Sequence, residues 1–322
     1  MTMIPYITES EVEAILTMPK TIELVEAAHR ARAEGRAFDV PRSLASFSSG
    51  ALRILQAEAA ELKLIGCKVA YSATGKGTHS YVHLFDTDSG KQLATIESIH
   101  LSMMRTGAAT GVATRYLARA DASVVGMIGA GGQAVGQLEA VCAVRKIREA
   151  RVYSRNAGRV RAFCTAMENK LGVRVRVATS AAEAVRGADI VNVITNAATP
   201  VLAGEWLEPG QHINAAGSNA LTRRELDEAA VRRCGLIVVD GRGNARTECG
   251  DLLPLVERGF YDWDALPELG EVITGRAAGR SAEDEITLYE SHGMGIQDIY
   301  TARFVLDTAK QSGLGVQLPV GA

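Results

Sequence analysis

Residues 123–128 (Ser-Val-Val-Gly-Met-Ile) form a short apolar run that passes directly into Gly129-Ala-Gly131-Gly-Gln133-Ala134 and then into helical periodicity as far as residue 144. An apolar run of this length, bounded by glycine, reads as a strand covered on both faces, the setting of a parallel sheet. In Gly129-x-Gly131-x-x-Ala134 the first glycine permits a tight turn and the second lets the backbone approach a pyrophosphate. The small third residue lets helix and strand pack closely. The helix N-terminus adds amide donors and the positive end of its dipole. The pattern alone is weak, since a glycine-rich turn needs no ligand. Its surroundings strengthen it. A second strand at 150–154 ends about 20 residues after the loop begins. Strands at 173–178, 190–195, 212–216 and 235–240 then alternate with helices at 157–171 and 180–185. That alternation predicts an α/β fold with a parallel sheet. Residues 243–300 read as mostly helical, and 301–310 as a further helix.

The chain before this region has a different period. Residues 8–34 read as helical, with Thr8 or Ser10 able to cap. Short alternating stretches at 43–47, 52–57, 62–70, 81–85 and 92–97 are interrupted by glycines and by Asp86-Thr-Asp-Ser-Gly90, which predicts an antiparallel meander. A helix follows at 98–118.

Charge and cysteine content exclude several classes. The balance is 35 basic against 37 acidic residues, a net −2, too little positive charge for a surface whose task is to hold nucleic-acid phosphates. The five cysteines are widely spaced without a C-x-x-C, so no disulfide framework or thiolate zinc site is expected. No apolar run nears the roughly 20 residues of a membrane span. Residues 1–13 carry no basic segment followed by an apolar core, so a cytoplasmic protein without membrane partners is expected. His79 and His83 would share a strand face, but no third ligand is evident nearby and no metal is expected.

The end of the second strand bears on the cofactor. A site for NAD(H) wants a carboxylate there for the ribose 2′-hydroxyl. This chain has Tyr153-Ser154-Arg155-Asn156. A hydroxyl beside a guanidinium suits a 2′-phosphate, so NADP(H) is expected over NAD(H). Arg159 and Arg161 read as a solvated helix face. Thr195, at the end of the strand 190–195, belongs with the expected cofactor set.

Three cations stand in weakly polar settings: Arg42 after Pro41, Lys68 in Gly66-Cys67-Lys68-Val69, and Arg105 in a helix of small and apolar residues. Each alone reads as structural, a snorkelling lysine or a carbonyl-capping arginine. Together they suggest convergence on a carboxylate. Cys67 neighbours Lys68, but strand alternation sends the two side chains to opposite faces.

With these motifs in order, together with Leu84-Phe-Asp86-Thr-Asp-Ser-Gly90, Arg105-Thr106-Gly-Ala-Ala109, Ala216-Gly-Ser-Asn219, Arg224-Glu-Leu-Asp227 and Gly293-Met-Gly-Ile-Gln-Asp298, nearly the whole chain resembles the ornithine cyclodeaminase / μ-crystallin family. The resemblance implies a Rossmann dinucleotide-binding domain at 119–300. It also implies an α+β substrate-binding and dimerisation domain formed by 1–118 with 301–322, a homodimer, and a small amino or imino acid bound between the domains. It implies that Arg42 and Arg105 clamp the substrate carboxylate and that Lys68 contacts the carboxylate or the reacting nitrogen and serves in proton transfer. Thr106 and Gln133 would lie near the cofactor phosphates, and Ser291, His292 and Gly293 near the nicotinamide. Where similar cyclodeaminases carry an aspartate, this chain has Asn219. An amide is no general base at neutral pH, though it can hydrogen-bond an imine. Asp227, close by, reads as a surface residue. The expected activity is reduction of a cyclic ketimine acid. The alternatives are ornithine cyclodeamination, an NAD-dependent alanine-type dehydrogenase, and a μ-crystallin-like protein that binds NADPH and a ligand without turnover.

Overall fold

The computed structural model describes residues 2–321. The chain divides into two compact units, one holding the residues up to Arg105 together with those from Met294 onward, the other Thr106–Gly293. The divisions fall inside the helix expected at 98–118 and ahead of the final helix, not at 118/119 and 300/301. The reason is local. Helix α3 (Ile99–Leu117) has no break at Arg105, and its residues from Thr106 on pack within the second unit.

The first unit opens with β1 (Thr2–Ile7), α1 (Glu9–Ile15) and α2 (Met18–Ala33). The expected single helix at 8–34 is therefore two helices. Leu16 and Thr17 are extended, and Pro19 sits at the start of α2, where its missing N–H costs nothing. A meander follows: β2 (Ala37–Phe47), β3 (Gly50–Ala59), β4 (Leu64–Ala73), β5 (Gly77–Asp86) and β6 (Gln92–Glu97).

The second unit contains, after α3, β7 (Val124–Ile128), α4 (Gly132–Val144), β8 (Glu149–Tyr153), α5 (Ala157–Leu171), β9 (Arg174–Val177), α6 (Ala181–Val185), β10 (Ile190–Val193) and β11 (His212–Ala215). It continues with α7 (Glu228–Arg232), β12 (Leu236–Val239), α8 (Arg242–Glu248), α9 (Leu253–Glu257), α10 (Leu269–Ile273) and β13 (Thr287–Glu290). The chain returns to the first unit as α11 (Gly295–Ser312) and β14 (Val316–Val320).

The sheet of the first unit has the order β14-β1-β6-β5-β4-β3-β2. It is mixed, because β1 lies parallel to β6 and antiparallel to β14. Neither β1 nor β14 was expected. Each is short and carries a proline, Pro5 or Pro319, which weakens a strand pattern. The register of β2 against β3 shifts between Val40 and Ser43, so Pro41 and Arg42 sit on a bulge of the edge strand. A bulge tolerates a missing N–H and re-aims the side chain beside it.

The sheet of the second unit is parallel throughout, in the order β12-β13-β11-β10-β7-β8-β9. Alternate residues of β7 feed the two faces. Val124 and Ile128 join a core with Val191, Val193 and Ile213, while Val125 and Met127 join one with Leu138, Val141 and Val152. The strand β13, inserted between β11 and β12, corrects the mostly helical reading of 243–300; its sequence Thr-Leu-Tyr-Glu holds a single aliphatic residue. Strand order reverses between β7 and β10, the place where doubly wound sheets bind ligands. No helix among the described residues is long and apolar enough to cross a membrane.

Candidate active site

In the first unit, Lys68 lies on the buried face of β4, its neighbours across the sheet being Leu55 and Val82. Its ammonium Nζ donates to Asp298 Oδ1 at 2.9 Å. Arg105 Nε donates to the same oxygen at 3.0 Å, and Arg105 Nη1 donates to Gln297 Oε1 at 3.0 Å. With Gln297 accepting there, its amide nitrogen faces His29 Nε2 at 3.0 Å, so that ring nitrogen is the acceptor. All five side chains are buried.

Asp298 and Gln297 come from the first turn of α11. Both lie within the motif Gly293-Met-Gly-Ile-Gln-Asp298, which by itself assigns neither a role. The only local signal was a polar pair in an otherwise small and apolar helix start. Arg42, half-buried on its bulge, is near enough for its charge to act on Lys68.

Two cations thus share one carboxylate, and the charge of a third, Arg42, acts on Lys68. Burial pushes the Lys68 ammonium down to about 7; the positive charges of Arg105 and Arg42 add to this, and Asp298 opposes it. A lysine so placed exchanges a proton near neutrality. The surplus positive charge suits a carboxylate ligand. Asp298 Oδ2 is buried with no hydrogen-bond partner among the described residues, so an acceptor stands open to a ligand N–H. Cys67 and His83 lie opposite each other on β4 and β5, away from the Lys68 face.

In the second unit, Gly129 adopts φ +117°, and a Cβ there would fall 2.2 Å from the Ile194 carbonyl oxygen. Only glycine fits. A Cβ on Gly131 or Gly132 would meet nothing within 4 Å, so open space lies over the loop. Ala134 is fully buried, while Gln133 is exposed. No side chain caps α4, whereas Asn156 caps α5 and Asp227 caps α7. The uncapped amides and the open loop fit a dinucleotide pyrophosphate. Close packing of α4 on α3 depends on a second glycine pair, since a Cβ on Gly107 would lie 2.2 Å from the Gly136 carbonyl oxygen. Thr106, half-buried at this end of α3, accepts from Gln137 through its carbonyl at 3.4 Å.

At the end of β8, Ser154 is half-buried and Arg155 exposed, and nothing among the described residues binds the Arg155 guanidinium. Asn156 is already committed, its side chain accepting from the Arg159 amide at 2.9 Å. Arg151 is committed as well, donating to the Arg186 carbonyl at 2.8 Å.

The loops after β10 and β11 are tied together by Glu225. Its Oε1 accepts from the amide and hydroxyl of Thr195, each at 2.6 Å; its Oε2 accepts from the amides of Gly217 at 2.7 Å and Ser218 at 3.0 Å. Thr195 therefore spends its hydroxyl on Glu225, and the loop bearing half-buried Asn219 is fixed from behind. Asp227, expected as a surface residue, is the half-buried N-cap of α7, accepting from Ala230 at 2.7 Å and Gly204 at 3.0 Å.

Past β13, Ser291 and His292 are buried and Gly293 takes φ +85°. The His292 imidazole is withdrawn into the interior, Nδ1 lying 3.4 Å from Asp240 Oδ1. Asp240 Oδ2 accepts the amides of His292 and Gly293, both at 2.7 Å. What this loop can present to a ligand is chiefly backbone.

The chain is similar along most of its length to several known proteins. A Δ1-pyrroline-2-carboxylate reductase of Bacillus thuringiensis subsp. konkukian (strain 97-27) is 39% identical over 260 residues, 80% of each chain. An alanine dehydrogenase of Archaeoglobus fulgidus is 32% identical over 317 residues, 97% of each chain. The structure of Thermococcus litoralis Δ1-pyrroline-2-carboxylate reductase in complex with NADH and L-proline superposes with a TM-score of 0.94 at 34% identity, covering 98% of this chain and all of that one. The model of the ornithine cyclodeaminase/mu-crystallin family matches residues 4–313, and the chain belongs to that family.

Proposed function

We propose that the chain is an NAD(P)H-dependent reductase that converts an α-imino acid to the L-amino acid, with cyclic ketimines such as pyrroline-2-carboxylate and piperideine-2-carboxylate as substrates. The observation that carries this reading is the buried Lys68–Asp298–Arg105 cluster with its surplus positive charge. Arg42 and Arg105 hold the substrate carboxylate, so orientation supplies much of the rate. Lys68, protonated below about 7, gives its proton to the imine nitrogen. Asp298 keeps the Lys68 and Arg105 heads in place and offers Oδ2 to the substrate N–H. A bound nicotinamide supplies the hydride.

NADP(H) is the preferred cofactor, supported by the unbound Arg155 guanidinium beside Ser154 and by the absence of an acid at that strand end. The relatives whose structures contain NADH and NAD+ keep NAD(H) as the alternative. The rival activity, cyclodeamination of ornithine, is disfavoured by Asn219, which cannot take a proton as a carboxylate would.

Exposed apolar side chains on the edge strand β2 and near it (Phe38, Val40, Leu44 and Phe47, with Ile65 on β4) support a homodimer through the first unit. Light scattering on the purified protein reads its mass directly. The function is tested by following NADPH and NADH oxidation with pyrroline-2-carboxylate and piperideine-2-carboxylate, and ammonia release from L-ornithine. Ketimine-dependent oxidation is expected; ornithine turnover to proline without it would overturn the assignment.

A further inference from the structure

Three buried side chains of the second unit, Cys249, Glu290 and His292, bring a sulfur, a carboxylate oxygen and an imidazole nitrogen within 4.8 Å of one another. Cys249 follows α8, Glu290 ends β13, and His292 lies two residues further on. No sequence spacing announces such a group, because Cys249 is brought to the other two only by the insertion of β13 beside β12.

The surroundings are acidic. Burial most of all, then the charges of Asp251, Glu225 and Asp240, opposes ionisation of Glu290, while a hydrogen bond with the Cys249 thiol favours it. Glu290 Oε1 is buried with no hydrogen-bond partner among the described residues. A buried acceptor without a donor carries a desolvation cost that nothing offsets.

The imidazole is oriented as a ligand's would be. His292 Nε2 is 3.9 Å from Glu290 Oε2, while Nδ1 faces Asp240 Oδ1 at 3.4 Å. A carboxylate behind the far ring nitrogen is the arrangement that fixes tautomer and direction in histidine–metal sites.

We propose that Cys249, Glu290 and His292 bind a divalent transition-metal ion, zinc foremost, which fastens the end of β13 to the end of α8. The charges balance: a thiolate and a carboxylate contribute −2, a neutral imidazole 0, and the ion +2, so the assembly is neutral in its buried site. A sulfur, nitrogen and oxygen donor set suits zinc better than magnesium or calcium. Ligand bonds of about 2.0–2.3 Å in tetrahedral geometry place donor atoms about 3.5 Å apart, so the three must close by about 1 Å on the ion. The thiolate form of Cys249 is the one that binds a metal ion. The role is structural, since the site is sealed from solvent, and it stands independently of the proposed reaction.

The test uses the full-length protein purified without a metal-affinity tag and titrated with Co2+. One equivalent per chain is expected, with a thiolate-to-cobalt charge-transfer band and displacement by Zn2+. Cys249→Ser removes the band, and Glu290→Gln keeps the thiol but weakens binding at least about tenfold. Folding of each variant is checked by circular dichroism. Absence of the band and of retained metal in folded wild-type protein overturns the proposal, as does a band that survives in Cys249→Ser. Should Cys249→Ser not fold, the comparison of wild type with Glu290→Gln decides, and equal affinity of the two overturns it.

Discussion

The Lys68 ammonium lies 2.9 Å from Asp298 Oδ1, joining residues 230 positions apart in the chain. Asp298 raises the proton affinity of Lys68, while burial, Arg105 and Arg42 lower it. If Lys68 is the proton donor, kcat/KM for ketimine reduction is flat at low pH and falls tenfold per unit as pH rises beyond about 7. Asp298→Asn removes that raising influence, so the descending limb moves to lower pH. A pH–rate profile in which the limb stays fixed refutes the pairing.

Carboxylate binding adds a negative charge beside Lys68 and cancels part of the surplus from Arg105 and Arg42. The lysine then takes up a proton when a carboxylate ligand binds above pH 7. Calorimetric titration with L-proline in buffers of different ionisation enthalpy measures that uptake. A heat independent of buffer contradicts it.

Arg105 donates from Nε and Nη1 to two different acceptors, a fork that lysine cannot reproduce. Arg105→Lys is expected to lower kcat/KM by roughly 10- to 100-fold. Arg42→Ala, on the bulge, is expected to raise KM more than it lowers kcat. Unchanged steady-state constants in both variants would separate these arginines from the substrate.

Arg155 has no hydrogen-bond or ion-pair partner among the described residues, so its removal costs the fold little. Arg155→Ala should raise the KM for NADPH by roughly tenfold or more and leave that for NADH nearly unchanged, because a charge-assisted contact to a 2′-phosphate is lost in one case only. Equal effects on both cofactors would show that the residue does not read the phosphate.

Glu225 serves four donors from two loops. Glu225→Ala orphans them and is expected to cost about 2–4 kcal/mol in urea unfolding. Burial, the largest influence, holds Glu225 up at about 7, against 4.5 for an exposed glutamate. The folded state therefore keeps this proton more tightly than the unfolded one. The associated stability is fully present below about pH 4.5 and is lost as pH rises through about 7. The alanine variant should lack that part of the pH slope, and an unaltered slope would count against it.

The dinucleotide loop was legible in the sequence because its requirements are local. Gly129 must turn, Ala134 must be small, and the strand before them is apolar over its full length. Lys68 and Arg105 were visible for the opposite reason, as charges inside otherwise apolar elements. Asp298 was not, since its meaning exists only once α11 packs beside β4, and no periodicity encodes that contact. Asp227 misled because an acid after a loop looks like surface until the helix it caps is seen. β13 is not legible because Thr-Leu-Tyr-Glu holds a single aliphatic residue, and with it the burial of Glu290 is hidden.

The second unit interrupts the first, so α11 is made after everything else that surrounds Lys68 and Arg105. On a ribosome, those two cations emerge early and wait through the synthesis of the entire second unit before their shared counter-ion exists. A nascent chain halted before residue 294 should therefore hold the meander loosely, and a protease applied to stalled chains should find the first unit cleavable until the last segment has left the exit tunnel.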